Sequence, residues 1–227
     1  METVLMPRQS QSLGFFSIYC AAAGAFLASL LLFSDPVLAK PIRLVALGDS
    51  LTAGYQLAPQ DAFPAVLEKA LKAKGYDVTV ANAGVSGDTT AQGAARVDWS
   101  VPDGTDGVIL ELGANDALRG LPPEAAQASL EKILKRLQAR KIPVLIAGMY
   151  APRSLGAAYY EKFDAIYPDL AKKYNAELYP FFLDGVAGQV KLNLEDGLHP
   201  TGEGIRAIVE RIMPSVESFL RRIQTPS

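Results

Sequence analysis

The chain is poor in the residues that build metal and redox sites. Its 227 residues include one cysteine, Cys20, and one histidine, His199. A single cysteine excludes an internal disulfide framework and a cysteine-rich zinc site. With one histidine and otherwise scattered carboxylates, the pattern suggests no metal and no other cofactor. No arginine-rich run or basic stripe occurs, and the formal net charge is −2, so no nucleic-acid partner is indicated. Internal repeats and low-complexity linkers are lacking too. What the chain has in quantity is apolar surface: 49% of residues are hydrophobic, enough for a sizeable core in one domain.

The first residues read as an export segment. Arg8 precedes an apolar stretch from Leu13 to Phe33, followed by Pro36 and then Val37-Leu38-Ala39, which resembles a small-residue cleavage site. Cleavage between Ala39 and Lys40 makes residues 1–39 a signal peptide and residues 40–227 a periplasmic or secreted domain. The stretch is also long enough to span a bilayer. The alternative is therefore an uncleaved anchor in the inner membrane with the domain facing the periplasm. That anchor is the one membrane contact the sequence suggests. Tyr19 before Cys20 is too bulky for a lipoprotein signal.

From Lys40 onward, strand and helix patterns alternate. Short apolar runs at Ile42–Leu47, Val78–Val80, Gly107–Leu112, Pro143–Ala147 and Glu177–Tyr179 predict five strands. Helical spacing follows at Phe63–Leu71, Thr90–Val97, Leu130–Leu137, Ala157–Tyr174 and Ile205–Leu220, the last expected to bend near Pro214. This alternation predicts βαβ units and a parallel sheet with helices on both faces. In such folds ligands bind beyond the carboxyl ends of the strands.

Polar clusters stand at those ends. Gly48-Asp49-Ser50-Leu51 follows the first strand, and Asn82-Ala83-Gly84-Val85-Ser86-Gly87-Asp88-Thr89 the second. Gly113-Ala114-Asn115-Asp116 follows the third, and Asp196-Gly197-Leu198-His199-Pro200 lies past the last. Together they hold what acyl transfer requires. A serine hydroxyl needs a base within hydrogen-bond reach, and His199 is the one imidazole available. That imidazole needs an acceptor on its other nitrogen, and Asp196 sits three residues earlier. The developing oxyanion needs donors. Gly87 offers a backbone N–H, Asn115 a side-chain amide, and Ser50 its own N–H.

In this order the four clusters resemble the four blocks of the SGNH (GDSL) hydrolases, across nearly all of residues 40–227. The bacterial acyl-CoA thioesterase, lysophospholipase and arylesterase group is the nearer likeness. It is carried by Gly48-Asp-Ser-Leu-Thr-Ala-Gly-Tyr55, Ser86-Gly-Asp-Thr-Thr90, Glu111-Leu-Gly-Ala-Asn-Asp116, Leu118-Arg-Gly120 and Ala165-Ile-Tyr-Pro-Asp-Leu-Ala171. The resemblance implies a flavodoxin-like three-layer α/β/α sandwich with a sheet of about five strands. It implies Ser50 as nucleophile, Asp196 and His199 as its acid and base, and Ser50, Gly87 and Asn115 as the oxyanion hole. Leu118 and Arg119 are candidate substrate contacts, with a solvated loop arginine as the other reading of Arg119. The activity implied is hydrolysis of carboxylic esters or thioesters, with small esters or lysophospholipids as substrates. Carbohydrate O-deacetylation and noncatalytic acyl binding are the alternatives. One departure stands out. Met149-Tyr-Ala-Pro-Arg-Ser-Leu-Gly156 differs from the Pro-Asn-Tyr-Gly form common among the thioesterases and looks more like arylesterases.

Taken singly, each cluster also has a structural reading. Gly48-Asp49-Ser50 reads as a polar turn, Asn115-Asp116 as an Asx turn, and Gly87 as a positive-φ position. Asp196 to His199 reads as a helix entry with Thr201 as N-cap. Their convergence on one rim favours chemistry. Asp49 and Asp88 are expected to organise loops as acceptors, Trp99 to pack, and Glu131–Lys141 to form a solvated helix face.

Overall fold

The computed structural model describes residues 1–3 and 40–225 and divides the chain into two units, Met1–Lys40 and Pro41–Ser227. All strands and helices among the described residues belong to the second unit. The apolar stretch Leu13–Phe33, Cys20 and Val37-Leu38-Ala39 lie outside the described residues. Among the described residues no helix is long and apolar enough to cross a membrane.

Five parallel strands form the sheet: β1 (Ile42–Gly48), β2 (Val78–Gly84), β3 (Gly107–Glu111), β4 (Val144–Ala147) and β5 (Glu177–Tyr179). Their spatial order is β2-β1-β3-β4-β5. β3 and β4 are buried along their whole length and β1 nearly so. A sheet covered on both faces makes its central strands near-continuous apolar runs, which is how these three read in the sequence. β2 is an edge strand, and its exposure partly alternates. It runs to Gly84, beyond the expected Val78–Val80, because its parallel pairing with β1 continues to Gly48↔Gly84.

The helices are α1 (Ser50–Ala53), α2 (Phe63–Ala73), α3 (Thr90–Ser100), α4 (Ala114–Leu118), α5 (Pro123–Ala139), α6 (Ala157–Tyr174) and α7 (Gly202–Gln224). α3, α5 and α6 pack in succession on one face, and α2 packs with α7 on the other. α2 buries Phe63, Leu67 and Leu71, and α7 buries Ile205, Ile208, Ile212, Val216 and Phe219. Both stripes follow the helical repeat that marks an amphipathic surface helix. Thr201 caps α7 by accepting from the Gly204 N–H, and the helix continues through Pro214. At α3, Thr89 and Gln92 form a reciprocal capping box, which satisfies two of the otherwise orphaned N-terminal N–H groups.

The short helices α1 and α4 are absent from the periodic pattern, since each is little more than one turn. Both sit where strand order reverses, because β1 is flanked by β2 on one side and β3 on the other. Chain leaves β1 and β3 toward opposite faces there, opening a crevice. α1 follows β1 and α4 follows β3, so Ser50 and Asn115 stand on either side of that crevice. β2 closes tightly beneath: a Cβ at Gly84 would lie 2.3 Å from the Ala53 nitrogen. Only glycine lets this strand and the turn that carries Ser50 approach so closely.

Candidate active site

Ser50 is the first residue of α1 and is nearly buried. The turn before it is fixed from two sides. Asp49 Oδ1 accepts the Leu51 N–H at 3.0 Å, capping α1, and Asp49 N–H donates to Glu111 Oε2 at 3.3 Å. The same Glu111 oxygen accepts the Thr52 hydroxyl at 2.7 Å. Glu111 is fully buried, and its Oε1 has no hydrogen-bond partner. Burial, and then the charge of Asp49, push the Glu111 carboxyl well above the usual range, favouring its neutral form.

His199 lies on the turn that leads into α7. Its Nε2 is 2.9 Å from Ser50 Oγ, and its Nδ1 is 2.6 Å from Asp196 Oδ2. Asp196 Oδ1 accepts the backbone N–H groups of Leu198 and His199 at 2.9 and 3.0 Å. The His199 and Leu198 backbone N–H groups and the His199 side chain hold the Asp196 carboxyl down at about 2. A carboxylate that stays ionised on Nδ1 keeps the Nδ1–H tautomer and leaves Nε2 free to accept from serine. Tyr55 lies over the imidazole, with ring centroids 4.4 Å apart and planes tilted by 36°.

The two proposed oxyanion loops are tied together. Gly87 has φ +86°, a left-handed conformation in which a side chain is strained. Its carbonyl accepts from Arg119 Nη2 at 2.8 Å. Asn115 Nδ2 donates to the Asp88 carbonyl at 3.0 Å and to Asp49 Oδ2 at 3.2 Å, so both amide hydrogens are engaged. Burial pushes the Asp49 carboxyl up to about 6, against the hydrogen bonds from Leu51 and Asn115 that lower it.

Beneath these loops lies a buried cation that the sequence reading does not single out. Arg96 Nε donates to Asp88 Oδ2 at 2.6 Å, and its Nη2 to the Gly48 carbonyl at 2.8 Å. Its Nη1 donates to the Ala83 carbonyl and to Ser100 Oγ. One guanidinium thus joins the end of β1, the end of β2 and the glycine loop. Asp116 plays a similar part, accepting the Thr90 N–H and hydroxyl at 2.8 and 2.7 Å. Asp49 and Asp88 are loop-organising acceptors, as expected. Trp99 is not packing: it is 72% exposed, because α3 turns that face outward.

A cavity of about 520 Å³ opens at Ser50, Asn115 and His199. Leu118, Met149, Tyr150, Phe181, Leu183 and Leu198 give it a largely apolar lining. Leu118 is therefore at the cavity, whereas Arg119 is not among its lining residues and is turned to Gly87. A larger depression, about 770 Å³, lies at the opposite rim beside Thr105, Asp106 and Pro143, and holds none of the four clusters.

This arrangement of a hydroxyl, an imidazole and a carboxylate at the switch point of an α/β sheet agrees with the kinship of the chain. The GDSL-like lipase/acylhydrolase family matches residues 46–207. An arylesterase of Vibrio mimicus is 40% identical over 179 residues, covering 78% of this chain and 90% of the relative. Thioesterase 1/protease 1/lysophospholipase L1 of Escherichia coli strain K12 is 39% identical over 158 residues, covering 69% of this chain and 74% of the relative. Among solved structures, the SGNH-hydrolase family esterase AlinE4 superposes with a TM-score of 0.67 at 47% identity, covering 80% of this chain and 97% of that one. The chain belongs to the GDSL-like lipase/acylhydrolase family and is a serine ester hydrolase of the SGNH type.

Proposed function

We propose that Ser50 is the nucleophile, His199 its proton acceptor and donor, and Asp196 the group that orients His199. The supporting observation is the unbroken line from Ser50 Oγ to His199 Nε2 at 2.9 Å and from His199 Nδ1 to Asp196 Oδ2 at 2.6 Å. His199 Nε2 takes the Ser50 proton as Oγ bonds to the carbonyl carbon. The tetrahedral intermediate collapses, the bond to the leaving oxygen or sulfur breaks, and His199 returns the proton to that atom. Water then repeats the sequence on the acyl-enzyme, releasing the acid and restoring Ser50.

The oxyanion is assigned to the N–H groups of Ser50 and Gly87 and to Asn115 Nδ2. Since both Asn115 hydrogens are engaged, the oxyanion must take one from its present acceptor. The longer bond, to Asp49 at 3.2 Å, is the weaker hold. Arg119 then acts by fixing the Gly87 peptide, and Leu118 by apolar contact in the cavity.

The apolar cavity suits small carboxylic esters or lysophospholipids, whose acyl part is a hydrocarbon. It offers less to a carbohydrate O-acetyl substrate, where a polyol makes up most of the molecule. The relatives' names, arylesterase and thioesterase/lysophospholipase, span the same classes. The N-terminal pattern supports export, with residues 1–39 removed before Lys40 and the hydrolase domain, residues 40–227, in the periplasm or outside the cell.

A fluorophosphonate probe tests the assignment. It should label Ser50, and Ser50→Ala should lose about 10⁴–10⁶-fold in kcat on a p-nitrophenyl ester while remaining folded. Label on another serine refutes the assignment.

A further inference from the structure

We propose that Tyr150 sets the acyl preference of this hydrolase and that Arg153 and Asp164 hold it in position. The proposal rests on the assignment of Ser50 as the acylated residue. β4 ends at Ala147, and the chain continues through the segment that departs from the thioesterase pattern. There the Tyr150 ring stacks on Phe181, centroids 4.6 Å apart and planes within 22°. The Arg153 guanidinium carbon lies 5.7 Å from the Tyr150 centroid and 4.4 Å from that of Tyr160. Arg153 Nη1 donates to Asp164 Oδ2 at 2.6 Å. The second Asp164 oxygen accepts the Ala151 N–H at 2.9 Å. One carboxylate therefore ties down both the guanidinium beside Tyr150 and the backbone one residue after it.

Tyr150 is 42% exposed, so its ring is not ordered by burial. It is ordered by a stack of Phe181, Tyr150, Arg153 and Tyr160. Ordering an exposed aromatic sacrifices side-chain entropy, and the residue so held lines the same cavity as Ser50, Asn115 and His199. A wall stacked on Phe181 and neighboured by the Arg153 guanidinium resists swinging away to admit a longer chain.

The acyl part is the part it meets. The leaving alcohol must depart and give way to water beside His199 Nε2. The acyl group alone stays through both steps, so only its contacts act on both the formation and the hydrolysis of the acyl-enzyme. The apolar side of the cavity suits that resident group.

The test compares kcat/KM for p-nitrophenyl acetate, butyrate, octanoate and dodecanoate. Each buried methylene is worth about fourfold. Tyr150→Ala should raise the octanoate-to-butyrate ratio by about tenfold, roughly the gain from one to two methylenes. Arg153→Met, which keeps the wall but frees it, should shift the ratio in the same direction by about threefold, less than one methylene. Arg153→Lys should resemble Arg153→Met, because an ammonium lacks the planar stack. Tyr150→Phe should keep the parental profile. A merely structural role would lower all four substrates alike and leave the ratios unmoved. An unchanged ratio in both folded Tyr150→Ala and folded Arg153→Met overturns the proposal. So does a shift confined to a series that varies the alcohol at fixed acyl group. Ser50→Ala is measured alongside. Turnover surviving in it refutes the nucleophile assignment, whereas a dead Ser50→Ala with unmoved ratios refutes the wall alone.

Discussion

Asp49 and Asn115 meet across the point where the strand order reverses, the Asn115 amide donating to the Asp49 carboxylate at 3.2 Å. The bond links the residue before Ser50, the proposed nucleophile, to the proposed oxyanion donor. It makes Asp49 a restraint on the site as well as the cap of α1.

Asp49→Asn should weaken that restraint and alter how stability depends on pH. An asparagine can still cap Leu51, but its amide can present a donor to a donor at Asn115. The expected fall in kcat is about tenfold, below the 10²–10³ of losing a donor outright. Burial raises the Asp49 carboxyl from 3.8 to about 6, so the folded chain binds this proton more tightly than the unfolded chain. Its contribution to stability is complete at low pH and is lost as pH rises through that window. Glu111 is shifted the same way. Urea midpoints across the window should therefore fall with pH less steeply in Asp49→Asn than in the parent. A slope equal to or steeper than the parent's contradicts this.

Asp196→Asn should keep the fold and lose the chemistry. The amide preserves size but favours the wrong imidazole tautomer, a change that costs on the order of 10⁴-fold in a comparable serine triad. The Asp196 carboxyl sits at about 2, so in the parent its orienting charge persists until strongly acid pH. The check is kcat on one chromogenic ester. Retention of more than about a tenth of the parental rate, a loss under ~1.4 kcal/mol, means that Asp196 does not orient His199.

Arg96→Met should destabilise the protein more than any exposed ion-pair substitution. Arg96 and Asp88 are both buried and 2.6 Å apart. Removing one partner of a buried pair strands the other charge, at about 3–5 kcal/mol. Arg136→Met, which breaks an exposed pair with Asp98, should cost no more than about 1 kcal/mol. Chemical denaturation of both variants decides the matter, and equal losses would mean that Arg96 does not hold the loops together.

The fold was legible wherever burial imposed a period. β1, β3 and β4 read as near-continuous apolar runs because helices cover both their faces, and α7 read as a stripe because one face meets the core. The rim was legible for a related reason: in a parallel sheet every strand ends on the same side, so residues far apart in sequence converge. Ser50, Asn115 and His199 follow that rule. What stayed hidden depends on which loop faces which. No local pattern shows that Arg119 turns toward Gly87, or that both Asn115 hydrogens are taken. Arg96 did leave a trace, a charge on the α3 face that also carries Gly93, Ala94 and Val97. Trp99 misled because hydrophobic size says nothing about which way a helix face points.

The two braces of the site fall on different parts of the sheet. Arg96 ties together the ends of β1 and β2, whereas Arg153 and Asp164 fasten the segment after β4. Among the described residues no hydrogen bond joins one brace to the other. The segment that shapes the cavity is thus fastened by a different set of charged side chains from the one at the ends of β1 and β2. Residues 149–156, with Tyr160, Asp164 and Phe181, are therefore the set to exchange with a related hydrolase when the cavity wall is to be varied and Ser50, Asp196 and His199 kept. If Tyr150 has the role proposed for it, drift in that set changes what is cleaved without unmaking how it is cleaved.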